Sequence, residues 1–150
     1  MYEGGLRVPF VIIGPGVSKN SYSDVPVTGL DILPTLARLA GYQGLLPNIL
    51  DGGNIQTVIH NNGKGKVKRN SPYLIFHQAA NRKPISAIRF GDYKLVKDWR
   101  YNKLELFDLS RDLEEKVDLS KKMPDIVKKL DEALIKFLNE ADAETKQIKT

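Results

Sequence analysis

Ile85-Ser86-Ala87-Ile88-Arg89-Phe90-Gly91-Asp92-Tyr93-Lys94-Leu95-Val96-Lys97-Asp98 reads as two strand-like runs hinged on Gly91-Asp92, and this stretch decides the fold class. Short runs rich in β-branched and aromatic residues suit strands, and a Gly-Asp break between them suits an antiparallel hairpin. Working outward, Tyr73–Gln78 is a third candidate strand before the pair. Glu105-Leu106-Phe107-Asp108-Leu109 is a fourth, reached through Tyr101-Asn102-Lys103. A helix is expected over about 124–141, with Pro124 in the first turn, where its missing N–H is no loss. Ile126, Val127, Leu130, Ala133, Leu134, Phe137, Leu138 and Ala141 fall on one stripe of that helix. Asp125–Lys129 and Glu132–Lys136 are spaced for ion pairs on the other face. The expectation for 73–145 is a small four-stranded antiparallel sheet with a C-terminal helix, an α+β subdomain.

The N-terminal side reads differently. Arg7-Val8-Pro9-Phe10-Val11-Ile12-Ile13 is apolar without alternation, as in a strand buried on both faces of a parallel sheet. Leu30, Leu33, Leu36, Ala37 and Ala40 follow helical spacing, with Asp31 as N-cap, Pro34 in the first turn and Gly41 as the stop. Strand, loop, helix is one α/β unit, and one unit is not a domain. Residues 1–60 are therefore expected to be the end of a large parallel-type α/β domain. Residues 44–72 read as loop, with Asp51-Gly52-Gly53 as a turn and 61–72 as a basic linker to the subdomain at 73–145.

Charge is unevenly spread over the 150 residues, whose net charge is +5. Residues 61–103 hold 11 basic and 2 acidic side chains, a segment able to attract phosphate, sulfate or nucleic acid. Tyr73, Phe76, Phe90, Tyr93 and Trp99 sit among apolar residues as core does, which argues against a stacking stripe for nucleic acid. No apolar run approaches the roughly 18 residues of a membrane span. Cysteine is absent, so disulfide, thiolate and Cys-rich metal chemistry are excluded from these residues. The two histidines, His60 and His77, are too few for a zinc site. His60 reads as a loop residue, whereas His77 closes an apolar strand near Gln78 and Asn81. The acidic run Asp108, Asp112, Glu114, Glu115, Asp118 lacks the order of an EF-hand and reads as solvated surface.

Tyr2-Glu3-Gly4-Gly5-Leu6-Arg7-Val8-Pro9 resembles the YEGGxRVP stretch of the sulfatases, in the alkaline-phosphatase-like superfamily. Four further blocks resemble that family in the same order. They are Thr28–Leu36 with Leu39-Ala40-Gly41 (DxLPTLxxLAG), Leu50-Asp51-Gly52, Ser86–Leu95 (AIRxGdYKL), and Leu104–Leu109 continuing through Asp112, Glu114-Glu115 and Asp118-Leu119. The resemblance implies the C-terminal portion of a sulfuric-ester hydrolase. In such enzymes a formylglycine, matured from Cys or Ser in CxPxR or SxPxR, attacks sulfur beside a calcium ion. Those groups lie upstream of the YEGG block and none maps here. The expected set is therefore no catalytic residue, metal ligand or cofactor in this chain, with calcium and formylglycine belonging to the parent enzyme. Arg7 is expected to position its loop. His77, Asn81 and Arg82 fall where similar enzymes face the leaving group, and are the candidate substrate contacts. The expected partners are the catalytic portion of the parent, a sulfated small molecule or glycan, and other copies of this chain, with no nucleic acid and no membrane. Two alternatives are a non-catalytic module binding polyanions or glycans, and a phosphate- or phosphonate-ester hydrolase of the same superfamily.

Overall fold

The computed structural model describes residues 1–80 and 83–145. Strands β1 (Leu74–Gln78), β2 (Ile85–Phe90), β3 (Tyr93–Asp98) and β4 (Lys103–Asp108) form one sheet in sequence order, antiparallel throughout. The sequence expectation of four hairpin-linked strands holds. The register aligns Ile75, Ile88, Leu95 and Leu106 across neighbouring strands, which puts their side chains on one face. Helix α4 (Pro124–Glu140) lies on that face and buries Leu130, Leu134 and Leu138 against it. Phe137, on the same expected stripe, is only partly buried. The ion pairs expected on the outer face are replaced by others. Lys136 meets Glu140 at 3.9 Å, and the Lys129 ammonium stands 4.7 Å from the centre of the Phe90 ring. Lys97 of β3 reaches Asp131 of α4 at 2.7 Å and stacks over Trp99, tying helix to sheet by charge as well as by apolar area.

The opposite face of the sheet carries Ala87, Val96 and Phe107, all buried. Met1 packs on this second cluster, and the short helix α1 (Glu3–Leu6) follows. Residues 1–8, expected to group with 9–60, belong instead to the compact unit that holds everything from Tyr73 onward. The sheet is covered on both faces, by α4 on one and by the N-terminal arm on the other.

Residues 9–72 form a second unit. Its centre is helix α2 (Ile32–Leu39), entered through a 3₁₀ turn at Gly29–Asp31 and followed by Gly41 at φ +81, as the stop signal predicts. A short helix α3 (Gln56–His60) lies where the sequence reads as loop, and it buries Val58 and Ile59. His60 ends that helix. The stretch 61–72, read as a linker, is fastened to this unit. Asn54 bridges Lys68 in antiparallel fashion, and Ser23 donates to the Gly63 carbonyl at 2.6 Å. Gly52 is required by close approach, because a Cβ there would meet the Leu30 carbonyl.

The buried strand expected over Val8–Ile13 does not form. Val11 and Ile13 are 77% and 91% exposed. A strand of that kind exists only with ladder partners at its edges, and no described segment pairs with it. Among the described residues no helix is long and apolar enough to cross a membrane.

Candidate functional site

The family-like blocks at 2–9, 86–95 and 104–119 are far apart in sequence and meet at one place, the arm-covered face of the sheet. Lys94 sits in the middle of β3 on that face, 1% exposed. An ammonium removed from water costs several kcal/mol unless it is paired. Lys94 Nζ contacts Glu3 Oε1 at 2.8 Å and Glu115 Oε1 at 2.8 Å, both carboxylates being well buried. The Glu3 backbone N–H also donates to Glu115 Oε2. Beside this cluster, the Tyr2 hydroxyl donates to Glu105 Oε2 at 2.6 Å, and its ring meets Phe107 edge-on at 6.1 Å. Burial, then the bond to Glu105, pushes the Tyr2 phenol well above its ordinary range.

Glu115 reaches Lys94 because the acidic run is a built turn and not a solvated face. Glu115 takes a left-handed backbone at φ 55. The Asp112 carboxylate accepts the N–H groups of Lys116 and Val117, and the Asp118 carboxylate accepts those of Leu106 and Ser120. Carboxylates that satisfy backbone donors fix loop geometry. Sequence separation hid this, since each acidic residue alone is ordinary surface chemistry.

Arg7 closes α1. Burial lowers the ionisation range of Arg89, with Glu3 and Asp92 opposing that fall and Arg7 adding to it. Arg7 therefore lies within electrostatic reach of the same face.

His77, the first candidate contact, has both ring nitrogens engaged. Trp99 Nε1–H donates to Ser86 Oγ at 2.8 Å, and an indole can only donate. Ser86 is fully buried and turns its own proton to His77 Nδ1 at 2.8 Å. In the neutral ring the remaining proton is on Nε2, which donates to the Glu144 carbonyl at 2.9 Å. Asn81 and Arg82 lie outside the described residues.

The basic middle segment is in part consumed by the fold. Among the described residues five of its cations form ion pairs: Arg69 with Asp31, Lys94 with Glu3 and Glu115, Lys97 with Asp131, Arg100 with Asp98, and Lys103 with Glu105. Asp31 is fully buried. Burial opposes its ionisation, but the Arg69 guanidinium and the N–H groups of Gly53 and Thr28 outweigh this and hold its carboxyl below the usual range.

The sheet, its terminal helix and the converging blocks define a sulfatase-type C-terminal unit. Comparison with known proteins agrees. The family model described as "N-sulphoglucosamine sulphohydrolase, C-terminal" matches residues 1–140, and the chain belongs to that family of sulfatase C-terminal domains. Arylsulfatase K of Mus musculus is 30% identical over 146 residues, covering 93% of this chain and 26% of the relative. Choline-sulfatase of Rhizobium meliloti is 36% identical over 126 residues, 79% of this chain and 22% of the relative. The solved structure of a 2-O GAG sulfatase superposes with a TM-score of 0.66 at 26% identity, over 86% of this chain and 29% of that one. The chain thus spans about a quarter of the length of the curated relatives it matches.

Proposed function

We propose that this chain serves as the C-terminal portion of a sulfuric-ester hydrolase acting on sulfated carbohydrate. The observation that carries the reading is the family match over residues 1–140, with the matching blocks assembled on one sheet face. The similar structure of a 2-O GAG sulfatase supports a glycan as the sulfate carrier. Sulfuryl transfer requires a nucleophile and positive charge at the developing oxyanions. Among the described residues no group of three or more His, Asp or Glu side chains is arranged to hold a metal ion. In this reading the calcium that the resemblance implies belongs to the catalytic portion of the parent enzyme.

The contribution of this chain is a wall and a support. In this reading His77, Asn81 and Arg82 are the candidate contacts to the leaving group, and His77 is held in place through Ser86 and Trp99. The 150-residue chain by itself is expected to turn over neither an aryl sulfate nor an aryl phosphate in the presence of calcium. Turnover that copurifies with it would overturn this. Reading the coding sequence upstream for CxPxR or SxPxR tests the class, since a sulfatase requires one of them. The phosphate- or phosphonate-ester alternative is decided by the same stretch.

A polyanion-binding module is the second reading, left with the exposed Lys64, Lys66, Lys68 and Lys83, none of which pairs with a carboxylate among the described residues. It requires binding to a sulfated polymer that weakens steeply with salt.

A further inference from the structure

We propose that the Glu3–Lys94–Glu115 cluster is a clamp that docks the N-terminal arm, Met1–Val8, on the sheet, with Lys94 as the residue that positions it. The assignment of a role in a sulfatase rests on the function proposed above, whereas the docking itself rests only on geometry.

Three observations carry it. First, the arm has limited apolar area with which to hold itself. Gly4 and Gly5 have no side chains, Arg7 and Val8 are exposed, Leu6 is only half-buried, and Met1 and Tyr2 supply apolar contact. Second, Lys94 is buried and faces two carboxylates, one 91 residues before it and one 21 after it; Glu115 pairs it within the sheet unit, and the contact with Glu3 is the one that only a docked arm makes. Third, the Glu115 carboxylate also accepts the Glu3 backbone N–H, so removing Lys94 leaves the Glu3 and Glu115 anions near each other with no cation between them. Other charged or titratable groups near the cluster are the Met1 amine, Tyr2, Arg7, Arg89, Asp92 and Glu105. The buried ammonium has three donors and one carboxylate from its own unit, and an acidic residue at the third position of the arm takes a further donor. The arm in turn carries α1 and Arg7 to a fixed place over the sheet.

The experiment uses the full 150-residue chain and two variants, Lys94→Met and Glu3→Gln, read by amide exchange and by titration of the Tyr2 phenol. In the parent the N–H groups of Gly5, Leu6 and Arg7 are bonded to Tyr2 and Glu3 carbonyls, and the Tyr2 hydroxyl is held by Glu105. Lys94→Met is expected to speed exchange at Leu6 and Arg7 by roughly tenfold or more at pH 7. The β2–β3 amides should keep their protection, and the Tyr2 phenol should return toward its ordinary value of about 10. Arm protection unchanged in Lys94→Met at pH 7 overturns the clamp. Should Lys94→Met lose the sheet as well, Glu3→Gln decides, because it leaves the Lys94–Glu115 pair in place. A loosened arm on an intact sheet supports the clamp, and an unaltered arm defeats it. None of these readouts involves turnover. A missing upstream nucleophile motif would defeat the sulfatase reading and leave the clamp standing.

Discussion

Residues from Tyr73 onward, with the arm, place Ile88, Leu95 and Leu106 under Leu130, Leu134 and Leu138 on one side and Ala87, Val96 and Phe107 under the arm on the other. Residues 9–72 keep Phe10, Val11, Ile13, Leu33, Leu36 and Leu39 largely in solvent. Among the described residues, twelve of the eighteen exposed large hydrophobics fall in this second unit. Isolated exposed apolar side chains are normal, but a concentration of them is the mark of a surface meant to be covered. One unit is held by two apolar layers. The other is held by a polar centre, the Asp31 carboxylate with Arg69, Gly53 and Thr28, reinforced where Thr35 Oγ1 donates to the Asp31 carbonyl and accepts from Ile55 N–H.

That contrast is most exposed to test at Asp31. Asp31→Ala leaves Arg69 without its partner and two backbone N–H groups without acceptors. It should destabilise the 9–72 unit by about 3–5 kcal/mol, the usual cost of breaking a buried pair. Amide exchange at Ile55 and Val58 would report it, with β2 and β3 unaffected. The pH sign follows from the lowered folded-state ionisation of Asp31. Its contribution is fully present above the unfolded value of about 3.9 and is lost as pH falls through the lower folded value. Loss of this unit before the sheet on acidification is the expected result, and simultaneous loss would contradict it.

In the sheet unit the corresponding stress is an apolar one. Leu134→Ala should cost about 2–5 kcal/mol, as a large-to-small change at a position with no exposure. Phe137→Ala should cost less than Leu134→Ala, because Phe137 is only partly buried. A denaturation midpoint equal to the parent's in Leu134→Ala would mean that α4 is not docked.

The open apolar surface of 9–72 predicts the third effect. A groove of about 260 Å³ runs between Phe10–Ile13 and the α2 side chains Ile32, Leu36 and Leu39. At micromolar concentration and above, copies of the isolated chain should associate through it, since no described strand or helix occupies it. Burying one Leu is worth about 1.5–3 kcal/mol. Leu36→Lys should therefore shift sedimentation toward monomer while leaving the folded midpoint within about 0.5 kcal/mol. A parent chain that sediments as monomer at high micromolar concentration would remove the premise.

How legible this was in the sequence follows the same divide. The hairpin at Gly91-Asp92 and the amphipathic stripe of α4 were readable because their signals are local and their partners lie within a few dozen residues. Asp31, Pro34 and Gly41 marked α2 for the same reason. The reading failed at Val8–Ile13, where an apolar run implies a strand only if neighbours exist. It missed α3, too short for a periodic signal. It also missed the clamp, because Glu3 and Lys94 are 91 residues apart and each is unremarkable alone. One signal did point to it. Leu95-Val96 places consecutive apolar residues on opposite faces of β3, so both faces must be covered, and α4 can cover only one.

The smallest effect concerns the two glycines of the arm. Gly4 and Gly5 lie in α1 with ordinary negative φ, and a Cβ added at either would meet nothing within 4 Å. Neither a special backbone conformation nor crowding by this chain calls for glycine there. Glycine in a helical turn is usually a penalty relative to alanine, through the freedom it gives the unfolded chain. Gly5→Ala should accordingly stabilise the docked arm by about 0.5 kcal/mol, seen as exchange at Arg7 slowed by roughly twofold. The outcome discriminates between local and external causes. If the arm tightens, the glycine pair is explained only by something that approaches this turn closely from outside the chain. If the arm loosens, the local geometry itself requires glycine, and the view of α1 as an ordinary turn clamped by Lys94 must be revised.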